Sequence, residues 1–218
     1  VCSSDLVPTK IEALKLVDSP CEFSFGEPQR VNIGNIEVQL AVCGFGMAAA
    51  GVGVCRMLHV LSAPIKGVIL AGTAGILDRD RADIGSVVVG RNVRCVDLGV
   101  PDGENRLTVG IPQFSDWDED LDLSIPAALA DLPSGEILSV AGPARTVKSA
   151  ELRRALYPNG LVEEMEGYSV AVACRTWKIP LTIVRGISNQ AGDREKSNWK
   201  FTDALNAVKQ TINIAVTG

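Results

Sequence analysis

A cluster of carboxylates and a polar strand end are the groups in this chain best equipped for chemistry. Glu163, Glu164 and Glu166 lie side by side, and an apolar, β-branched run over residues 179–187 leads through Gly186 into Ser188 and Asn189. Such a run reads as a fully buried strand that delivers polar side chains to a sheet edge. In open α/β sheets, ligands bind outside these carboxyl ends. The stretch 162–177 is almost wholly apolar except at Glu163, Glu164, Glu166, Arg175 and Thr176. It therefore reads as a buried helix with its charges gathered at the N-terminal end. Carboxylates are seldom buried without partners. An ionised carboxylate can accept from two vicinal hydroxyls at once, as a ribose presents them, and a helix N-terminus favours its charge. Glu166 is the candidate for that contact. Acidic residues in a first helical turn are commonly caps, and an Asn after a strand is commonly a turn residue. The conjunction of the two is what points to a site.

To bring these groups together, strands and helices must alternate. A hairpin turning at Gly34-Asn35 joins strands over residues 29–33 and 36–43. A helix over 47–61 follows, then strands over 67–71, 86–93 and 137–141, a helix over 149–156, the buried helix and the strand ending at Ile187. The last helix, 202–216, sets Leu205, Val208, Ile212 and Ala215 at spacings of three and four, so one face packs on the core. The alternation implies a single-domain, three-layer α/β/α architecture with a mixed, largely parallel twisted sheet. At 218 residues and 46% hydrophobic composition, the chain can bury one sizeable core, with no linker to divide it.

The run Glu164-Met165-Glu166-Gly167, followed by a strand ending Arg185-Gly186-Ile187-Ser188-Asn189, resembles the purine nucleoside phosphorylase and nucleosidase superfamily. Futalosine hydrolases and methylthioadenosine/S-adenosylhomocysteine nucleosidases are the branches it is most similar to, over residues 7–212. The resemblance implies that Glu12, in the turn Val7-Pro8-Thr9-Lys10-Ile11-Glu12-Ala13, activates an attacking water. Gly44-Phe45-Gly46-Met47-Ala48-Ala49 is then a first glycine turn, and Ala71-Gly72-Thr73-Ala74-Gly75 a second beside the sugar. Gly85-Ser86-Val87-Val88-Val89 looks like the next strand, and Thr146-Val147 falls where backbone wraps the purine. Glu164, Met165, Glu166, Thr73, Thr146 and Ser188 are thereby expected to bind substrate, with Glu12 and Asn189 catalytic. A homodimer or higher homo-oligomer is implied, in which a neighbouring chain helps close each site.

Position 189 bears on the substrate. Adenine-specific nucleosidases carry Asp where this chain has Asn189, and a 6-oxopurine such as hypoxanthine presents an acceptor that an Asn amide satisfies as donor. A buried amide left unpaired by the wrong base discriminates strongly. Futalosine is the hypoxanthine nucleoside that the resemblance suggests, and its hydrolysis belongs to menaquinone biosynthesis. Gln190-Ala191-Gly192-Asp193-Arg194, with Trp199 after it, also looks like the futalosine branch. Other purine nucleoside hydrolases or phosphorylases, and a homologue that binds without turnover, remain open. Phosphorolysis needs arginines at a phosphate site; none lies beside Gly44-Phe45-Gly46, whereas Arg91 and Arg185 leave it possible.

Other classes fit less well. A net charge of −5 without a Lys/Arg cluster argues against nucleic acid, and no run reaches membrane-spanning length. Cys2, Cys21, Cys43, Cys55, Cys95 and Cys174 are scattered, without a C-x-x-C pair, and read as small core residues of a reducing cytoplasm. His59 is the single histidine, so a zinc site is not expected. Gly44-x-Gly46-x-x-Ala49 suggests a dinucleotide fingerprint, but the next strand lacks the acidic residue that would hold the ribose. The acidic stretch 116–122 lacks the glycine and terminal Glu of a calcium loop. No metal or cofactor is expected. Residues 1–6, Val-Cys-Ser-Ser-Asp-Leu, are polar and β-poor and have no signal-peptide pattern. They match a translation of a common sequencing adapter, so they are expected to be non-native, with the enzyme domain spanning 7–218 and its first strand compromised.

Overall fold

The computed structural model describes residues 4–19, 21–61, 65–96, 100–101, 107–108 and 120–217. Cys2 and residues 116–119 of the acidic stretch lie outside them. The chain begins with β1 (Ser4–Val7), α1 (Lys10–Leu16), β2 (Gln29–Ile33), β3 (Ile36–Val42) and α2 (Met47–Val60). It continues through β4 (Val68–Ile76), β5 (Val87–Cys95), a separate two-stranded ribbon of β6 (Val100–Pro101) and β7 (Leu107–Thr108), and β8 (Asp120–Asp122). β9 (Ser134–Ser139), α3 (Val147–Leu156), β10 (Gly160–Glu164), α4 (Gly167–Thr176), β11 (Leu181–Gln190) and α5 (Phe201–Thr217) complete it.

The main sheet runs β10-β9-β5-β11-β4-β1-β3-β2, with β8 paired to β5. Its parallel pairs, such as β4 with β11 and β1 with β3, mix with antiparallel ones, such as β2 with β3 and β5 with β11. The expected mixed sheet flanked by helices is therefore present. It is not a flat middle layer, because β10 also pairs antiparallel with β4 and closes β4, β11, β5, β9 and β10 into a ring. Strands twisted in one sense coil an extended sheet until distant strands meet.

Each face of the sheet carries its own core. Val54, Met57 and Leu58 of α2 join Val170 and Cys174 of α4 over Leu70, Val88 and Ile183. On the other face Ala13 and Leu16 of α1 join Val208 and Ile212 of α5 over Leu40, Ile69 and Val184. The spacing expected of the last helix is realised there, with Leu205 and Val208 buried. Cys43, Cys95 and Cys174 are buried thiols, while Cys55 and His59 lie exposed on α2.

Two sequence expectations are corrected. Residues 162–177 are not one helix: β10 occupies 160–164, buried throughout, and α4 starts only at Gly167. A strand covered on both faces has no polar alternation, so periodicity cannot separate it from a buried helix. The first strand also forms, with Asp5 and Leu6 in register between β3 and β4. A vacant slot between two strands imposes extended backbone on residues of poor β propensity. Among the described residues no helix is long and apolar enough to cross a membrane.

Candidate active site

The Glu12 turn is built by a capping box. Thr9 precedes α1, and its hydroxyl accepts the Glu12 N–H at 3.2 Å. The Glu12 carboxylate returns through Oε2 to the Thr9 N–H at 3.1 Å and hydroxyl at 2.7 Å. Its Oε1 accepts from the Thr73 N–H at 3.1 Å and hydroxyl at 3.3 Å on β4. Glu12 is thus tied to helix and sheet together, and is only 5% exposed. Thr73 therefore orients Glu12, besides lining the cavity as expected. The expected second glycine turn is not a turn, since β4 runs straight through Ala71 to Gly75.

Arg185 organises the carboxylates. It is fully buried in the middle of β11, and its Nη2 donates to Glu164 and, at 3.3 Å, to Glu166. Among the described residues Nε and Nη1 have no hydrogen-bond partner. Nη1 lies against Gly72, where an added Cβ would come within 2.3 Å of it and within 3.1 Å of Glu12 Oε1. Only a residue without a side chain lets β4 pass between the guanidinium and Glu12. Glu164 has no oxygen to spare: besides Arg185 it accepts from Ser139, from the Glu166 N–H at 3.0 Å and from the Gly167 N–H at 2.8 Å. Expected from the sequence to contact substrate, it lines the cavity and also anchors the start of α4. Glu166 is freer, accepting the Gly46 N–H at 3.0 Å from the first glycine turn as well as Arg185. Burial pushes its carboxyl up to about 7, opposed by Arg185 and the Gly46 N–H and reinforced by Glu164 and Glu12.

Ser188 and Asn189 arrive by a β-bulge. β11 pairs Ile187 with Ala74 but Asn189 with Gly75, so one residue is extra. In a regular strand the two side chains would point to opposite faces; the bulge turns both toward the same cavity. The Ser188 hydroxyl donates to Asn189 Oδ1 at 2.8 Å, and Asn189 Nδ2 donates to the Gln190 carbonyl at 2.7 Å. That arrangement orients the amide, with one Nδ2 hydrogen on the Gln190 carbonyl and Oδ1 facing the Ser188 hydroxyl, which also lies 3.3 Å from the Ala74 carbonyl.

A cavity of about 500 Å³ joins these groups. Glu12, Thr73, Glu164, Met165, Glu166, Ser188 and Asn189 all line it. Thr146 does not: its exposed side chain caps α3 by accepting the Ser149 N–H at 3.2 Å, and Pro143 faces the cavity instead. Sequence reasoning missed Glu163, Ile11 and Phe45 as wall residues. Ile11 and Phe45 are 65% and 66% exposed; their available signal was position, Ile11 next to Glu12 in α1 and Phe45 inside the first glycine turn. Arg185, weighed for phosphate, is committed to Glu164 and Glu166, while Arg91 bonds Ser134 away from the cavity.

Comparison with known proteins places the chain in a family. A futalosine hydrolase of Streptomyces coelicolor is 28% identical over 182 residues, covering 78% of this chain and 77% of that protein. A 5'-methylthioadenosine/S-adenosylhomocysteine nucleosidase of Halalkalibacterium halodurans is 28% identical over 207 residues, covering 91% and 85%. Among solved structures, the native futalosine hydrolase of Helicobacter pylori superposes with a TM-score of 0.77 at 19% identity, over 99% of this chain and 97% of that one. The Neisseria meningitidis methylthioadenosine/S-adenosylhomocysteine nucleosidase in complex with methylthio-immucillin-A gives 0.77 and 19% over 99% and 98%. At such identity these structures establish the fold alone. The family model of the phosphorylase superfamily matches residues 6–217, nearly the whole chain, and the protein belongs to that superfamily.

Proposed function

We propose that the protein is a cytoplasmic nucleosidase that hydrolyses the N-glycosidic bond of futalosine, releasing hypoxanthine and dehypoxanthine futalosine. The observation that carries nucleoside cleavage is the convergence of Glu12, Glu166 and Asn189, from α1, the β10–α4 turn and β11, on one cavity. Glu166 accepts from the ribose hydroxyls. The glycosidic bond breaks ahead of water attack, and the free Nδ2 hydrogen of Asn189 donates to the purine edge as charge builds there. Glu12 takes the proton of the water that attacks the anomeric carbon. Of its four donors the Thr73 hydroxyl is the most distant, and its rotation gives that water a lone pair.

Two features support futalosine over an adenine nucleoside. Asn189 Nδ2 gives one hydrogen to the Gln190 carbonyl, and its second hydrogen suits the acceptors of a 6-oxopurine, while the Ser188 hydroxyl steadies Oδ1. Exposed Ile11 and Phe45, with Trp199 and Lys196, supply further cavity wall for the part of futalosine beyond the ribose. A methylthioadenosine-type activity is the second reading, favoured by the Halalkalibacterium halodurans relative. Assembly as a homodimer or higher oligomer is part of the proposal. The groove between α2 and α4, with Val52, Cys55, Val172 and Ala173, is an apolar face suited to a second copy.

Chromatography of free base released from futalosine, inosine and methylthioadenosine, with and without phosphate, tests the reaction. Hypoxanthine from futalosine alone, independent of phosphate, is expected. Adenine release would overturn the reading of Asn189, and phosphate dependence would overturn hydrolysis. Glu12→Gln should abolish turnover with little change in substrate affinity, since its role is exercised in the transition state.

A further inference from the structure

Two segments that wall the cavity are bonded together at a single residue, Ala144. Residues 142–146 connect β9 to α3 and supply Pro143, while the loop after β11 supplies Arg194 and Trp199. Between them lies the Ala144 peptide. Its N–H donates to Glu163 Oε1 at 2.9 Å, and the Ala144 carbonyl accepts from Arg194 Nη2. Arg153 of α3 holds Glu163 from behind through Nη1 and reaches the Gly142 carbonyl at 3.1 Å through Nη2. Further along, Gly192 approaches so closely that an added Cβ would sit 2.2 Å from the Thr146 carbonyl oxygen. Ala144 and Ala191 are buried in one small apolar cluster, against which Met165 packs.

We propose that Arg194 is a positioning residue that latches the 142–146 segment to the loop after β11, and so sets the width of the gap that receives the purine. This rests on the reading of the cavity as a nucleoside site. The β9–α3 connection is tied to β10 at its start, where the Val140 N–H donates to the Glu164 carbonyl, and residues 142–146 lie beyond that bond in no strand, so their geometry depends on the bonds made to them from elsewhere. Charge-assisted hydrogen bonds are the stronger kind, and here one grips each side of Ala144. Glu163 ties the segment to β10, next to Glu164 and Glu166. Arg194 ties it to the loop that continues from Asn189. Without Arg194 the segment keeps its charged bond on the sugar side and is held on the base side only by the packing of Gly192 and Ala191. The consequence is specific: base binding and base choice suffer, while the Glu12 and Glu166 chemistry is left in place.

The test compares Arg194→Met with Arg194→Lys, whose ammonium can still donate to the Ala144 carbonyl. Hydrogen exchange of a peptide covering 142–146 reads the latch without any ligand. Exchange should quicken about tenfold or more in Arg194→Met and return near the wild-type rate in Arg194→Lys. With futalosine, Arg194→Met should raise KM about tenfold with a smaller loss in kcat, and should narrow the preference for hypoxanthine over adenine nucleosides. Unchanged exchange in Arg194→Met, or a wild-type KM and base preference despite faster exchange, would overturn the proposal. Wild-type protein that releases no base from any nucleoside would sink the proposed reaction, while exchange would still decide the latch.

Discussion

Asp5 sits where the fold calls for an apolar side chain. It pairs in register with Leu40 on β3 and Ile69 on β4, so its side chain shares their face. Leu40 and Ile69 belong to the core formed with Leu16, Val208 and Ile212. Asp5 is fully buried, neither carboxyl oxygen has a hydrogen-bond partner among the described residues, and burial pushes its carboxyl from 3.8 up to about 7. The sign follows from linkage. Between pH 4 and 7 the folded state keeps a proton that the unfolded chain has released, so stability falls as pH rises through that window and levels off above about 7. A shift of about 3 units corresponds to roughly 4 kcal/mol of penalty at alkaline pH. Asp5→Val removes it and adds apolar burial. At roughly 2–4 °C per kcal/mol for a domain of this size, Tm should rise by about 8–16 °C at pH 8. At pH 4.5, where Asp5 is protonated in the fold, most of that gain should disappear. Thermal unfolding followed by circular dichroism at both pH values checks this. A gain that is the same at both, or no gain at pH 8, refutes the assignment of an unpaired buried carboxyl. Because β1 leads directly into Pro8 and Thr9, the variant should also retain nucleosidase activity to higher temperature.

Three further outcomes are expected. Burial pushes the Glu166 carboxyl up to about 7, and the role proposed for it, accepting from both ribose hydroxyls, is best filled by the ionised form. Affinity for a nucleoside should therefore increase as pH rises from 6 to 8; calorimetry on Glu12→Gln isolates this from chemistry, and a flat profile would contradict it. Gly72→Ala drives a methyl group against Arg185 Nη1, so activity should fall at least a hundredfold and stability by about 1–3 kcal/mol, the range for overpacked cores. Normal kinetics in that variant would show that Arg185 does not need its place. Asn189→Asp should move the hypoxanthine-to-adenine preference in kcat/KM toward adenine by more than about tenfold, the scale of a buried hydrogen bond to a mismatched group. An unmoved preference would remove position 189 from base selection.

The sequence-derived architecture holds where signals are local. The hairpin at Gly34-Asn35, the helix from Met47 and the amphipathic α5 were all legible from periodicity and turn chemistry. It fails where neighbours in space decide. β10 looks helical because both its faces are covered, and β1 looks unfit to be a strand because its slot between β3 and β4 is invisible in the chain. The site divides the same way. Glu166 and Asn189 could be named from a carboxylate cluster and a polar strand end, and Glu12 from the family resemblance, and the structure brings the three to one cavity. The bulge that turns Ser188 and Asn189 to one side depends on pairing with β4, and no local pattern encodes it. Nor does any encode the burial of Arg185, the passage at Gly72 or the grip of Glu163 and Arg194 on Ala144.

The charge arrangement also bears on why water, and not phosphate, should attack. Glu12, Glu164 and Glu166 share a single guanidinium, Arg185, which lies wholly inside the protein. With all three ionised the group carries an excess of negative charge, and part of that excess is relieved by the raised carboxyl of Glu166. Such an environment favours positive charge developing on a ribosyl ring as its bond to the base breaks, and it disfavours a phosphate dianion on the same face. The cations that reach the cavity, Arg194 and Lys196, come from the loop after β11, beyond Asn189, and Arg194 is occupied with Ala144. A phosphorylase needs its cations where Glu12 stands. Replacing Glu12 with a neutral residue should therefore not convert the protein into a phosphorylase, because Thr9 and Thr73 would remain as the nearest groups and neither carries charge. Assay of Glu12→Gln and Glu12→Ala with futalosine in excess phosphate checks this directly: formation of a ribosyl phosphate by either variant would mean that the buried Arg185 can reach an anion after all.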